Sequence, residues 1–170
     1  MLLYINTLIS WQKNCFIKKA EIISIIRGNY KSALNVNTGS LISSKNQNSF
    51  YGGMIGSCLR NEIYQFLGYT FCSLGYSITL DLIHNFELNT LKLWFRDEDY
   101  RVYSVKVFLI NQDHEIQIYD GTAYSIITLT FPDQLVKGFR ILNANGNTGN
   151  EWMHLIKVDA FYKLQTTQLQ

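Results

Sequence analysis

The stretch Ser77-Ile78-Thr79-Leu80-Asp81-Leu82 decides the fold class, because apolar and polar side chains alternate along it. Alternation at every second residue places its isoleucine and two leucines on one face of an extended strand. Residues 90–96 and 103–110 alternate in the same way, and shorter apolar runs occupy residues 116–119, 126–131, 137–143 and 153–163. Many short runs of this kind, separated by turns, are typical of a β-sandwich or β-barrel. The sequence therefore predicts an all-β domain.

The connections between these runs carry turn-forming residues, as in Asn111-Gln112-Asp113, Asp120-Gly121 and Asn145-Gly146-Asn147. No segment with helical periodicity lies between the strands to form a crossover between parallel strands, so we predict antiparallel pairing. The domain is expected to span residues 21–163. Within it, residues 31–56 are rich in Ser, Asn and Gly and predict a long polar loop, and residues 164–170 form a C-terminal tail.

Composition limits the function classes. The chain has 170 residues, 47% of them hydrophobic, which is enough for one domain with its own core. The formal net charge is only +2, with 16% charged residues, and nucleic-acid binding normally requires a strong, clustered basic excess. We therefore predict no nucleic-acid partner. No apolar run is long enough for a membrane span, so none is predicted.

The first twenty residues form a separate N-terminal extension. Leu2, Leu3, Ile5, Leu8 and Ile9 recur at roughly helical spacing, and the segment contains lysines but no acid. An acid-free amphipathic N-terminus is also compatible with a mitochondrial presequence. We interpret residues 1–20 as an extension, with a helix as one option, that packs on the domain or on a neighbour.

The three cysteines, Cys15, Cys58 and Cys72, lack the spacing of a metal site, and no cysteine follows Cys72. This favours buried free thiols and a reducing intracellular location such as the cytoplasm. No nucleophile, zinc or phosphate-binding motif is present, so we predict a non-catalytic protein with no cofactor and no metal.

Two polar clusters beside predicted strands hold the candidate site residues. The first cluster contains Asp97, Asp99, Arg101 and Tyr103. Its three successive acids and the nearby arginines indicate a loop fixed by ion pairs, in which Arg96 and Arg101 neutralise Asp97 and Asp99. A Ca²⁺-binding loop is the alternative, but the residue spacing of an EF-hand is missing. The second contains Asn147, Asn150, Glu151 and His154. By strand parity His154 shares a face with Ile156, Val158 and Ala160, which predicts a hydrogen-bonded core residue.

These segments also resemble a known family. Their order along the chain is the order found in the discoidin (coagulation factor V/VIII type C) domains of BTB/POZ proteins of the BTB-domain-containing-nine type. The segments that carry this resemblance are Tyr69–Ile78, Leu91-Lys92-Leu93, Asp97–Ser104, Leu129-Thr130-Phe131, Phe139-Arg140-Ile141 and Asn147–Glu151 with His154. The resemblance is good over residues 69–160. It implies a galactose-binding-like antiparallel jelly-roll sandwich that works as a non-catalytic module. The chain lacks the BTB region, and Arg96 stands where that family tends to have Trp.

Two functions follow from these observations. The first is an intracellular protein-binding scaffold, a subunit of a larger assembly, with the cytoskeleton or cilium as an option. Its protein partners would cover the candidate interface residues Trp94, Phe108, Trp11 and Trp152. The alternative is a carbohydrate-binding module, which needs an exposed aromatic platform beside polar groups; Trp94, Trp152 and Tyr100 are the candidates.

Overall fold

The structure is a computed structural model that describes residues 31–61, 68–112 and 114–163. Trp11, Cys15 and the predicted extension and tail lie outside these residues. Within them the chain is built almost entirely of strands, joined by three short 3₁₀ turns at Val36–Thr38, Lys45–Gln47 and Gly53–Gly56. The strands are β1 Leu41–Ile42, β2 Ser49–Tyr51, β3 Tyr69–Cys72, β4 Ser77–Phe95, β5 Tyr103–Ile110, β6 Glu115–Ala123, β7 Ile126–Asn147 and β8 Met153–Phe161.

All strands in the described part of the chain pair antiparallel in one continuous sheet, in the order β2-β3-β8-β4-β7-β5-β6, with β1 added to β4. The long strands β4 and β7 run through both layers of the fold. The first part of β4 pairs with residues 138–142, and its last part pairs with residues 126–130 and with β8. Register shifts between Asp81 and Phe86 and between Leu88 and Thr90 allow the sheet to curl, because irregular pairing bends a strand.

The curled sheet encloses one apolar core between its layers. Inward side chains of the alternating stretches are fully buried, among them Ile78 and Leu80 of the opening stretch and Leu93 of β4. Phe95 and Tyr103 come from different layers and stack with ring centroids 5.1 Å apart. The predicted all-β fold is confirmed, and it rests on the alternation that places these residues inward.

The strand boundaries differ from the prediction in a consistent way. Residues 77–82 and 90–96 were predicted as separate strands, but residues 77–95 form the single strand β4, and residues 126–131 and 137–143 both lie on β7. The segment predicted as one long polar loop, residues 31–56, contains β1, β2 and the three 3₁₀ turns. Both strands continue past the local turn residues, and the pairing of β4 with β7 resumes after register shifts between Asp81 and Phe86 and between Leu88 and Thr90.

Cys58 and Cys72 are free and fully or nearly fully buried, as the sequence predicted for them. Burial raises the pKa of each thiol to about 12, so both stay protonated at neutral pH.

Across residues 31–61, 68–112 and 114–163, no helix is long and apolar enough to cross a membrane.

The crossing of β4 and β7 leaves no room for a side chain at Gly138. A Cβ at this position would lie 2.4 Å from the backbone carbonyl oxygen of Leu80. We expect Gly138→Ala to lower the free energy of unfolding by roughly 1–3 kcal/mol, because the two strands must separate to accept it. Urea denaturation measures the change.

The matched control is Lys137→Ala, one residue earlier on an exposed position of β7. It should change stability by less than about 0.5 kcal/mol. Equal effects of the two substitutions would contradict a close approach at Gly138.

Candidate functional site

The two polar clusters predicted from sequence meet at one end of the sandwich. The β4–β5 loop, residues 96–102, and the β7–β8 loop, residues 148–152, are joined by a pair of hydrogen bonds. The backbone N–H of Thr148 donates to the carbonyl of Val102 at 3.0 Å, and the N–H of Val102 donates to the Thr148 hydroxyl at 3.2 Å. The loops therefore form one surface.

Asn147 shapes the β7–β8 loop through its side chain. Its Oδ1 accepts from the backbone N–H groups of Gly149, at 2.7 Å, and Asn150, at 3.0 Å. Its Nδ2 donates to Asn150 Oδ1 and to the carbonyl of Trp152. An asparagine that bonds to the backbone two or three residues ahead fixes a tight turn, so this loop holds the backbone carbonyl of Trp152 in place. Glu151 is exposed beside it.

Ion pairs hold the β4–β5 loop, but not all of the predicted ones. Arg101 pairs with Asp99 in a two-point contact, as expected, and this contact lowers the pKa of the Asp99 carboxyl. Arg96 pairs with Glu98 at 2.6 Å instead of Asp97 or Asp99. The turn also forces Tyr100 into a left-handed conformation (φ 57°), and its side chain is 82% exposed.

His154 is buried, as predicted, but on a different face from the one expected. It pairs with Phe71 of β3, while its neighbour Leu155 points into the core. The register of β8 against β4 shifts between Lys157 and Leu155, so Ile156 is an extra residue in β8. This bulge reverses the alternation, and the assignment of His154 to the face of Val158 was therefore wrong.

The surroundings of His154 determine its protonation state. Its Nδ1 lies 3.4 Å from an Arg101 guanidinium nitrogen and 3.4 Å from the hydroxyl of Tyr103, which donates to the carbonyl of Arg96 at 2.7 Å. A guanidinium can only donate, so Nδ1 acts as the acceptor and the proton sits on Nε2. Burial, and after it the positive charges of Arg101 and Arg96, lower the His154 pKa to about 4.

A group of ring side chains covers β2, β3 and β8 beside these loops. We call it the aromatic cluster: Tyr51, Tyr69, Phe71, Trp152 and His154. Tyr51 stacks on Tyr69 at 5.0 Å, Tyr69 meets Phe71 at 5.8 Å, and Phe71 meets Trp152 at 5.3 Å. His154 lies under Tyr69 and Phe71, at 4.9 and 5.9 Å. The rings therefore form a continuous row.

The row is accessible and has charged groups beside it. Tyr51 is 56% exposed, and Tyr69, Phe71 and Trp152 are half-buried. The guanidinium of Arg96 lies 5.4 Å from the centre of the Tyr69 ring, within cation–π range. The arrangement offers apolar ring faces next to guanidinium donors and carboxylate acceptors.

Sequence reasoning missed Tyr51, Tyr69 and Phe71 as site residues. Their signal was present in Tyr69-Thr70-Phe71, where two rings at alternate positions of a strand must share a face. The position of Tyr51 beside Tyr69 depends on the β2–β3 pairing, which its own sequence does not reveal.

The other candidate interface residues lie away from this end. Trp94 is half-buried, with the ammonium groups of Lys92 and Lys157 at 4.6 and 5.2 Å from its ring centre. Phe108 lies on the outer face of the opposite layer under the guanidinium of Arg140, at 4.0 Å. Among the residues the structure describes, no group of His, Cys, Asp and Glu is placed to hold a metal ion.

Comparison with known proteins gives matches by structure only. No family model matches the chain, and no curated protein does. The carbohydrate-binding module (CBM32) of AlyQ in complex with 4,5-unsaturated mannuronic acid has a TM-score of 0.56 and 18% sequence identity, covering 73% of this chain and 94% of that one. The chain has the galactose-binding-like fold.

Two further structures agree with this fold. The family 32 module of C. perfringens NanJ in complex with galactose has a TM-score of 0.53 at 12% identity, covering 71% of this chain and 98% of that one. A pectin-binding carbohydrate-binding module has a TM-score of 0.55 at 13% identity, with coverage of 77% and 91%. In each case the alignment covers more than nine-tenths of the neighbour's chain, so the shared fold is that of a whole domain.

The comparisons contradict the predicted scaffold function. The structural neighbours are carbohydrate-binding modules, which favours the alternative from the sequence, glycan binding, over a subunit of an intracellular, cytoskeletal or ciliary assembly. Protein subunits as partners find no support in them. The prediction was wrong because low net charge and half-exposed apolar faces describe a glycan platform as well as a protein interface.

The buried neutral histidine makes stability depend on pH. The folded-state pKa of His154 lies below the ordinary value of about 6.5, so the unfolded chain binds more protons between these values. We expect stability to fall as pH decreases from about 6.5 to 4. Replacing His154 with Gln should reduce this slope in urea denaturation followed across that range.

His114→Gln, at an exposed position, is the control and should leave the slope as it is. An unchanged slope in His154→Gln would show that other groups cause the pH dependence. An NMR titration of the His154 ring with a midpoint above 6 would contradict the buried neutral state directly.

Proposed function

We propose that this chain is a non-catalytic carbohydrate-binding module, and that the aromatic cluster with the adjoining β4–β5 and β7–β8 loops is its ligand surface. The observation that carries the proposal is the continuous row of accessible rings beside the paired arginines and carboxylates. A pyranose ring has an apolar face of C–H groups and an edge of hydroxyls. A surface that combines ring faces with fixed polar groups matches both.

The aromatic part supplies stacking. The Asn147 turn fixes the backbone carbonyl of Trp152, and the Trp152 ring packs against Phe71 at 5.3 Å. Tyr51 and Tyr69 stack on each other. Rings that are already fixed lose little conformational freedom when a ligand binds, so more of the contact energy appears as affinity. The arrangement of several rings in sequence fits a ligand longer than one sugar unit.

The polar part supplies orientation. Arg101 and Asp99 are bound to each other, and so are Arg96 and Glu98, which keeps donors and acceptors in fixed positions. The carboxylates accept hydrogen bonds from sugar hydroxyls. The guanidinium N–H groups that do not take part in the ion pairs donate to ring or hydroxyl oxygens of the sugar. These pairs are surface pairs, so their value lies in geometry more than in stability.

The non-catalytic part of the proposal rests on the chemistry of His154. Its low pKa keeps it neutral near pH 7, so it does not act as a general acid there, and its Nδ1 faces Arg101 and Tyr103 instead of the surface where a base would meet a substrate. The fold also supports the proposal, since solved modules that share it bind sugars by their own descriptions. The finer resemblance to discoidin domains of BTB/POZ proteins stays a prediction.

A pair of substitutions tests the proposal. We expect Trp152→Ala and Tyr69→Ala to weaken binding about tenfold or more, because stacking on an aromatic ring is lost. Galactose, N-acetylgalactosamine, alginate and pectin form the panel, and isothermal titration with the full chain is the measurement.

Phe108→Ala is the matched control, because Phe108 also lies under an arginine but on the opposite outer face. It should leave the affinity unchanged. The proposal fails if the unmodified chain binds none of a broad glycan array at millimolar concentration, or if Phe108→Ala weakens binding as much as Trp152→Ala.

A further inference from the structure

The first segment of β7, residues 126–130, forms an open edge of the sheet. Its register with residues 90–94 of β4 is unbroken, and it pairs with no second strand within the described part of the chain. From Gly138 onward β7 lies between β4 and β5. An edge strand directs the N–H and C=O groups of alternate residues away from its partner. This edge can therefore accept another strand.

The other outer strands carry features that discourage such pairing. β1 and β2 are only two and three residues long. β6 is longer, but it contains Glu115 and Asp120, and its register against β5 shifts between Val107 and Phe108. Short length, charge and bulges are the usual protections of a sheet edge. Residues 126–130 are Ile-Ile-Thr-Leu-Thr, which is uncharged and regularly paired over five residues.

Apolar side chains of this segment stay partly accessible. Ile126 lies on the outer face and is 49% exposed. Ile127 and Leu129 pack against the core but are only half-buried. Leu91 and Leu93 of β4, which has strands on both sides here, are fully buried. An added strand would complete the burial of the edge residues in the same way, and burying apolar surface is favourable.

The segment is complementary to itself. A two-fold axis through Thr128 of two antiparallel copies places Ile127 opposite Leu129 on the inner face. The same axis places Ile126 opposite Thr130 on the outer face. No charged residue lies in the segment, so no like charges meet in this arrangement. The chain itself therefore supplies a strand that fits the edge.

The flanking residues select this register. Ser125 has a left-handed backbone conformation (φ 50°), and Pro132 has no backbone N–H to donate. A two-fold axis at Leu129 would place Pro132 opposite Ile126, inside the paired region. The axis at Thr128 keeps the pairing within the regular part of the strand.

We infer that two copies of this chain associate by antiparallel pairing of residues 126–130 across a two-fold axis at Thr128, which continues the sheet from one copy into the other. The aromatic cluster lies on β2, β3 and β8, on the other side of β4 from this edge, so the pairing does not cover it. The inference therefore goes beyond the proposed function and does not depend on it.

Sedimentation velocity of the full chain from about 10 µM to about 1 mM tests the inference, because one strand pair is a small interface and associates weakly. We expect the sedimentation coefficient to rise from the monomer value towards the dimer value. Thr128→Lys and Thr128→Glu should each abolish the rise, because two like charges then face each other at the axis. An equimolar mixture of the two variants should restore it, because the facing charges are then opposite.

Thr122→Lys, at an exposed position of the neighbouring edge strand β6, is the matched control and should associate like the unmodified chain. Thr128 is exposed as well, so its variants should keep the far-UV circular dichroism of the unmodified chain. A chain that stays monomeric at about 1 mM would overturn the inference. So would association that persists in either Thr128 variant alone, that Thr122→Lys also abolishes, or that the mixture does not restore.

Discussion

The antiparallel pairing of β4 with β7 is the constraint on which the rest of the structure depends. Both strands pass through the two layers of the sandwich, so their pairing, which resumes after register shifts at Asp81/Phe86 and Leu88/Thr90, fixes how the layers face each other. The close approach of Gly138 to Leu80 and the register shifts in β4 set the curl. The β4–β5 and β7–β8 loops leave these strands at the same end. Their meeting is therefore a consequence of the pairing.

That end of the domain combines rigid backbone with half-exposed rings. Asn147 fixes one loop through backbone contacts, the arginine–carboxylate pairs fix the other, and Tyr103 connects the core to both through Arg96 and His154. Such preorganisation costs a ligand little on binding. A histidine beside a tyrosine and an arginine resembles a catalytic group, but here these residues stabilise the loops. His154 is buried and neutral, and its Nδ1 contacts Arg101 and Tyr103.

Glycan binding and protein binding make similar demands on a surface, and composition alone does not separate them. Both use aromatic rings, arginine and low net charge. The distinction comes from shape, since a row of adjacent rings flanked by fixed polar groups suits a ligand with an apolar face and hydroxyl edges.

The sequence by itself determined the fold class, because alternation in Ser77–Leu82 and its counterparts dictates which side chains face the core. It also determined that Asp99 pairs with Arg101 and that Cys58 and Cys72 are buried, since these follow from near neighbours or from residue type. Only the tertiary structure decided the face of His154, because one bulge residue, Ile156, reverses the parity on which the prediction relied. It also decided the aromatic cluster, since this cluster joins strands and loops that are far apart in the chain and whose register no local pattern encodes.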